Sequence, residues 1–201
     1  MRSPFNASAV GIVLSLGSDE CGILADLLQQ LDGLLEPEPP VGAVDNEPAG
    51  GETLLDPFAA IVASLDIPTG PPADPAVARL LPAGHRDDPE VAADFRRLSE
   101  ATVRDRKRRN ASLARDALSR PAPVVLDQGE ALALMKSLTD VRLVLATRLD
   151  LNEEGDVERL AEAVREIRNQ AVAAEILGTL GLYELLGWWQ ECLIRAVSSG
   201  K

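Results

Sequence analysis

The chain has 201 residues and a formal net charge of −12 at pH 7, with 20 Lys and Arg against 32 Asp and Glu. This acidity excludes non-specific binding of the whole protein to nucleic acid or to an anionic membrane surface. Apolar residues make up 46% of the sequence and aromatic residues 3%, which excludes disorder throughout and favours a helical, aliphatic core.

The N-terminal part of the chain predicts a strand followed by a helix. Residues 10–16 (VGIVLSL) are expected to form the short strand. Ser18 is placed as the N-cap of the helix, and Asp19 and Glu20 lie in its positively polarised first turn. The face of this helix that is predicted to be buried consists of Ile23, Leu24, Leu27, Leu28, Leu31 and Leu35.

Two stretches rich in proline, glycine and acidic residues interrupt the middle of the chain. They cover about residues 36–52 and 66–74, and their composition predicts mobile loops. Short helices are expected near 53–65, between the loops, and near 75–81, after them. We expect residues 1–201 to form a single domain around one core.

A basic helix is predicted next, opened by Asp88 as the N-cap and Pro89 at the first helical position. Nine of the 20 basic residues of the chain lie between Arg96 and Arg120. The apolar positions of this helix cluster on one side, which is predicted to be its buried face. They are Val91, Phe95, Leu98, Thr102 and Leu113.

An arginine stripe runs along a different side of the basic helix. Its four members are separated by 7, 4 and 7 residues and fall within about 40° of one another around the helix axis. They are Arg97, Arg104, Arg108 and Arg115, and the basic residues beside them are Arg106, Lys107 and Arg109. Such a stripe is suited to phosphates or an acidic partner; the alternative is a solvated face paired with the chain's own acidic loops. Thr102 and Asp105 have the spacing of a capping box, and a helix break there would split the stripe.

The C-terminal half predicts one more strand, at 123–126, and helices at about 128–149, 157–174 and 180–197. The core positions of these helices recur at spacings of three and four. They are Leu134, Leu138, Val141 and Leu145 in the first helix, Val157, Leu160, Val164, Ile167, Ala171 and Ala174 in the second, and Leu182, Leu186, Trp189 and Leu193 in the third. The fold class is therefore mainly α: a helical bundle with two short strands that pair in a small sheet.

Two segments of the chain resemble each other at an offset of 110 residues. LSLGSDECGILADLLQQLDGLL and VVLDQGEALALMKSLTDVRLVL align without gaps, and each predicts a strand, a polar turn and a helix. Glu20 matches Glu130, and Leu24 matches Leu134. A repeated strand–turn–helix unit is one interpretation, and chance similarity between two amphipathic helices is the other.

No residue pattern predicts catalysis or metal binding. His85 is the only histidine, and it lies in a polar loop between Gly84 and Arg86, where a solvated role is expected. The chain lacks C-x-x-C, H-E-x-x-H, EF-hand and P-loop patterns. We therefore expect no enzyme activity, no cofactor and no metal ion.

Cys21 and Cys192 are the only thiols, too few for a secreted disulfide scaffold. Cys21 falls at the start of its helix, where the dipole lowers a thiol pKa, although Asp19 and Glu20 oppose that effect. The two cysteines are interpreted either as small, semi-buried apolar residues or as a reversible thiol switch. The switch requires the first and last helices to lie side by side.

Trp188 and Trp189 are adjacent in the last helix, so one ring is expected in the core and the other at an interface. No segment approaches the roughly 18 uncharged apolar residues of a membrane span. The N-terminus also lacks the apolar region and cleavage site of a signal peptide. We expect a cytoplasmic protein without membrane contact.

Four blocks of the sequence, in order, resemble one actinobacterial family. They are GIVLSLGSDECGILADLLQQL, RDDPEVAADFRRLSEATVRDRKRRNA, VVLDQGEALALMKSLTDVRLVLATRLDL and YELLGWWQECL. The family is a long-unassigned domain associated with the actinomycete oxidative-stress transcription regulator. The resemblance implies a regulator of redox homeostasis that responds to oxidation through thiols and works with an alternative sigma factor. Cys192 departs from the family's closing motif, and no helix-turn-helix is visible, which puts thiol sensing and direct base reading in doubt.

Two functional hypotheses follow. The first is a transcription regulator that binds a sigma factor or another transcription protein and reaches promoter DNA through that complex, with the arginine stripe near the phosphates. The second is a helical interaction or scaffold protein with no nucleic-acid contact. It would form a homodimer through Trp188 and the helix predicted at 157–174.

Overall fold

The structure is a computed structural model that describes residues 3–37, 72–85 and 88–199, without the side chains of Pro89 and Arg97. The predicted helix at 53–65 and most of both predicted loops lie outside these residues. The described part contains three strands and six helices. In chain order they are β1 (Phe5–Ser8), β2 (Gly11–Leu14), α1 (Ser18–Leu34), α2 (Pro75–Leu80), α3 (Pro89–Leu118), β3 (Val125–Leu126), α4 (Gln128–Arg148), α5 (Asp156–Val164) and α6 (Gln170–Ser199). The protein is mainly α with a small sheet, as predicted.

The sheet is antiparallel, with the strand order β1-β2-β3. Ile12 pairs with Leu126 and Val13 with Val125, so the two predicted strands do pair with each other. Strand β1 was not predicted and forms a hairpin with β2. Gly11 opens β2 with a φ of +137°, and a Cβ there would lie 2.4 Å from the Leu126 carbonyl oxygen. Only glycine fits this position, because any side chain would strain the backbone and clash with β3.

The internal similarity is visible in the starts of α1 and α4, which begin 110 residues apart. The Glu20 carboxylate accepts a hydrogen bond from the Gly17 N–H over 2.7 Å, and the Glu130 carboxylate accepts one from the Asp127 N–H over 2.9 Å. Both helices therefore begin with a glutamate that reaches back to the N-cap. The N-cap of α1 is Gly17, and not Ser18 as predicted.

One hydrophobic core joins the sheet to the helices. Helix α3 packs against α1 and α4, and α4 also packs against α2 and α6. The largest fully buried apolar side chains are Phe5, Leu24, Leu28, Leu35, Leu80, Leu126, Leu134, Leu138, Leu186, Trp189 and Leu193. The leucine faces predicted for the first helix and for α4 supply five of these eleven, but Ile23 is 48% exposed, so its assignment to the core was wrong.

Helix α3 is a single helix of 30 residues, so the break predicted at Thr102 and Asp105 is absent. Its start is as predicted, since the Asp88 carboxylate accepts hydrogen bonds from the N–H groups of Glu90 and Val91. These bonds satisfy donors that have no partner inside the helix.

The predicted orientation of α3 about its axis is wrong. The side chains assigned to its buried face are exposed: Val91, Phe95, Leu98, Thr102 and Leu113. The packed face instead carries Arg96 and the small residues Ala111, Ala114 and Ala117. Alanines let neighbouring helices approach closely, and the basic side chains of this face find acceptors on those neighbours. A reading based on hydrophobic periodicity assigns such a face to solvent.

The helix predicted at 157–174 is divided between α5, which ends at Val164, and α6, which begins at Gln170. This break removes the continuous stripe suggested for a homodimer. Helix α6 has an 18-residue window with a mean hydropathy of 1.2, enough to cross a membrane by length and composition alone. This helix was not identified from the sequence, because Glu175 and Glu184 interrupt it and the expectation concerned about 18 uncharged apolar residues. In the fold, Leu186, Trp189 and Leu193 of α6 are buried in the core.

Candidate functional site

Two basic residues of α3, Arg96 and Arg104, form an ion-pair cluster with Glu100. Glu100 lies one turn from both Arg96 and Arg104, with N–O distances of 3.0 and 2.7 Å. The three side chains are only 8, 17 and 13% exposed for Arg96, Glu100 and Arg104, respectively. Arg96 also donates to the carbonyl oxygen of Leu81 over 3.4 Å. Because these charges are mostly buried, their pairing is part of the fold.

Two members of the arginine stripe bind the C-terminal end of α1. Arg104 donates from Nη1 to the carbonyl oxygens of Leu35 and Glu36, over 3.3 and 3.5 Å. Arg108 donates from Nε to Oδ1 of Asp32 over 2.8 Å, and this hydrogen bond raises the pKa of the Arg108 guanidinium. A helix C-terminus has carbonyls without intrahelical partners and carries partial negative charge, so cations are stabilised there.

Two more basic side chains on this face of α3 contact the neighbouring helices α1 and α4. Arg115 donates to the side chain of Gln29 in α1. Lys107 lies 2.5 Å from Asp140 of α4, which is 5% exposed. Burial raises the pKa of the Asp140 carboxyl, while the Lys107 ammonium acts in the opposite direction. Helix α3 is thus joined by polar contacts to α1 on one side and to α4 on the other.

Only a small part of the predicted nucleic-acid site faces solvent. Arg106 and Arg109 are exposed and form no ion pair within the described part of the chain. The side chain of Arg97 lies outside the described part. The other candidates are bound within the fold: Arg104, Lys107, Arg108 and Arg115. Their acceptors lie mainly on α1 and α4, whereas the sequence suggested the acidic loops.

The two redox candidates are not brought together in a bridge. Cys21 is half-buried near the start of α1, and Cys192 is 5% exposed in α6; both are free thiols. Burial raises the pKa of the Cys21 thiol, and the charge of Glu20 raises it further, so the lowering expected from the helix dipole does not prevail. No disulfide joins them in the fold.

Trp189 is 1% exposed, which confirms that one of the two rings lies in the core, and Trp188 is half-buried. Both line an open cleft of about 730 Å³, which we call the tryptophan cleft. Its other lining residues are Ser3, Pro4, Asn6, Ser15, Leu16, Glu20 and Leu185. The cleft could not be predicted, because its walls come from the hairpin, the start of α1 and the middle of α6.

Large apolar side chains remain exposed along the N-terminal half of α3. Val91, Phe95 and Leu98 follow at spacings of four and three residues, so they share one side of the helix. They are 47, 51 and 78% exposed, and we call them the α3 apolar face. The ring of Phe95 packs against Gly84, where a Cβ would lie 2.2 Å from the ring. A contiguous apolar face in solvent is typical of a protein–protein contact.

Among the described residues, no group of three or more His, Cys, Asp or Glu side chains is placed to hold a metal ion. His85 is exposed in the segment between α2 and α3. These residues therefore provide no basis for proposing metal chemistry.

Comparison with known proteins assigns the chain to a family but not to an activity. Residues 1–197 match the domain-of-unknown-function family DUF2017, and the chain belongs to that family. Neither the curated proteins nor the solved structures gave a significant match. The family description carries no link to transcription or oxidative stress, so the functional proposal rests on the geometry described above.

Proposed function

We propose that this protein acts as a regulator by binding another protein through the α3 apolar face, and that its arginine stripe is not a nucleic-acid contact. The observation that carries the proposal is the orientation of α3. Its charged side is packed against α1 and α4, while Val91, Phe95 and Leu98 are left in solvent.

Electrostatics argue against DNA contact through the stripe. For Arg108 to reach a phosphate it would have to leave Asp32, and Arg104 would have to leave Glu100 and the end of α1. Among the described side chains of this basic segment, Arg106 and Arg109 remain exposed and without an ion pair, on a protein of net charge −12. Nucleic-acid affinity grows with the number of phosphates neutralised, and two cations on an acidic protein give little of it.

The partner that we propose is a transcription protein, with an alternative sigma factor as the specific candidate. The resemblance noted above suggests this setting, and the acidity of the chain suits a basic partner. Promoter DNA would then be contacted by the partner. Because Cys21 and Cys192 are free thiols and Cys192 is buried, the proposal does not assign a response to oxidation to a bridge between them.

A homodimeric scaffold is the second candidate, favoured by exposed apolar side chains on α6. Val172 and Leu177 are 42 and 48% exposed near the start of that helix. Trp189 takes no part in such a contact, because it is buried in the core. Light scattering at tens of micromolar separates the candidates: a dimer supports the scaffold, and a monomer supports binding to a different protein.

Paired variants test the α3 apolar face. Leu98 and Val10 are both 78% exposed, the first on α3 and the second at the turn of the hairpin. We expect Leu98→Glu to weaken calorimetric binding to a purified alternative sigma factor about tenfold or more, because it places a charge in an apolar contact. Val10→Glu serves as the matched control and should bind as the wild type does. Equal affinity for all three proteins would contradict the proposed face.

A further inference from the structure

The tryptophan cleft has the dimensions of a small-ligand site and lies apart from the α3 apolar face. Its volume of about 730 Å³ is within the range of roughly 300–1,000 Å³ typical of such sites. Two indole rings, Trp188 and Trp189, line it together with the polar side chains of Asn6, Ser15 and Glu20. Trp188 is only half-buried, so one of the two rings is available to a ligand.

Among the described residues that line the cleft, Glu20 is the one with a charged side chain. Its capping bond with the Gly17 N–H uses Oε2, and Oε1 has no partner within the described part of the chain. Asp19 lies in the same first turn of α1 as Glu20, and Glu184 lies one turn before Trp188 in α6. Both side chains are exposed. The described residues in and around the cleft therefore carry negative charge, and none of those that line it is basic.

At the second unit of the internal repeat, a cation just before the unit pairs with the glutamate that corresponds to Glu20. Glu130 performs the same capping role, and its Oε2 also accepts a hydrogen bond from Arg120 over 2.9 Å. The position 110 residues before Arg120 is Val10, which is 78% exposed. One capping glutamate is thus neutralised by the chain itself, whereas Glu20 pairs with no cation of the described part of the chain.

An indole face beside a carboxylate is suited to organic cations. The negative face of an indole ring attracts ammonium and guanidinium groups, and a carboxylate adds a charge-assisted contact. We infer that the tryptophan cleft binds an organic cation whose charged group contacts Trp188 and Glu20. The bound cation occupies, at Glu20, the role that Arg120 has at Glu130.

Intrinsic fluorescence reports on this cleft directly, because Trp188 and Trp189 are the only tryptophans of the chain. The probe is choline chloride at constant ionic strength, and the control ligand is 3,3-dimethylbutanol, which has the same shape without the charge. We expect a saturable change with choline and a response at least about tenfold weaker with the alcohol. Equal responses, or no saturable change up to about 100 mM choline, would overturn the inference.

Two variants separate the charge of Glu20 from its structural role. Glu20→Gln keeps an oxygen for the Gly17 N–H and removes the charge, so choline affinity should fall about three- to tenfold. Glu191→Gln is the control, because Glu191 is exposed on α6, pairs with Arg195 and does not line the cleft. Unchanged affinity in Glu20→Gln, or equal losses in both folded variants, would overturn the assignment.

The same chemistry has two sources, a free small cation and a basic side chain of another protein, and competition distinguishes them. A six-residue arginine peptide is titrated alone and then in the presence of choline. Tighter binding of the peptide, with displacement by choline, identifies a basic protein segment as the ligand. Saturable binding of choline without peptide binding identifies a free small cation. If neither probe binds, the cleft is not a cation site. That result would not contradict the proposed binding of a protein through the α3 apolar face.

Discussion

Arg108 donates from Nε to Oδ1 of Asp32 over 2.8 Å, and this contact joins α3 to the end of α1. The residue is central to the arginine stripe, the feature of the sequence most suggestive of DNA. Its partner is a carboxylate 76 residues earlier in the same chain. Helix packing therefore explains the described side chains of the stripe.

The orientation of α3 predicts opposite outcomes at two adjacent positions. Leu113 is 43% exposed and Ala114 is 1% exposed. Leu113→Ala should change the free energy of unfolding by less than about 0.5 kcal/mol, whereas Ala114→Leu overfills the packed face and should destabilise by about 1–3 kcal/mol. Urea unfolding measures both. A large loss from Leu113→Ala with a neutral Ala114→Leu would restore the orientation expected from hydrophobic periodicity.

The cluster around Glu100 predicts that substitution of Arg104 destabilises the fold more than substitution of Arg106 on the same helix. Arg104 is 13% exposed and holds both Glu100 and the end of α1, whereas Arg106 is exposed. Arg104→Ala should destabilise the fold by about 1–2 kcal/mol, because it leaves buried acceptors without their donor. Arg106→Ala should have little effect. Similar unfolding midpoints for the two variants would count against a structural role for Arg104.

Asp140 predicts a pH dependence that follows from its burial. The pKa of this carboxyl is raised in the fold, so the native state binds the proton more tightly than the unfolded chain does. Its contribution to stability is greatest below the unfolded pKa of about 4 and is lost as the pH rises through the folded pKa. Asp140→Asn removes that loss, so the free energy of unfolding should fall less between about pH 4 and 7 than in the wild type.

Asp74 gives the control of opposite sign. A hydrogen bond from Arg148 lowers the pKa of Asp74, so its contribution is present above its unfolded pKa and is lost as the pH falls through the folded pKa. Asp74→Asn should therefore reduce the loss of stability in acid. If both variants changed the pH profile in the same direction, the environments described for Asp140 and Asp74 would be wrong.

The environments of the two cysteines predict that Cys21 is alkylated before Cys192. Cys21 is half-buried with a raised pKa, and Cys192 is 5% exposed in the core. Iodoacetamide should label Cys21 slowly at neutral pH and Cys192 only after unfolding, because the thiolate is the reactive form and access is required. Mass spectrometry after mild peroxide should show no Cys21–Cys192 peptide. Rapid formation of that peptide in the native protein would reinstate the thiol switch.

The elements of the fold were predictable where local chemistry decides them. The N-cap of α3 and the leucine faces of α1 and α4 follow from residue type and spacing. The division of the 157–174 segment at Val164 was not foreseen, because the apolar spacing continues across the break.

The candidate site was less predictable, because its contacts join distant parts of the chain. Nothing near Arg108 in the sequence indicates that Asp32 is its partner, and Asp140 lies 33 residues from Lys107. Long basic side chains with buried stems and satisfied head groups pack as core residues do, but periodicity counts them as polar. The tryptophan cleft combines three separate segments and leaves no local signature.

A double-mutant cycle between Arg108 and Asp32 is the most direct test of the structural role of the stripe. The side chains of Arg108 and Asp32 are 31 and 22% exposed, so solvent screens the pair in part and a coupling of about 0.5–1.5 kcal/mol is expected. The cycle consists of Arg108→Ala, Asp32→Ala and the double variant, measured by urea unfolding. Arg109→Ala, combined with Asp32→Ala, is the control, because Arg109 is adjacent, exposed and without an ion pair in the described part of the chain. We expect coupling for Arg108 and none for Arg109; zero coupling in both cycles would contradict the structural role of the stripe.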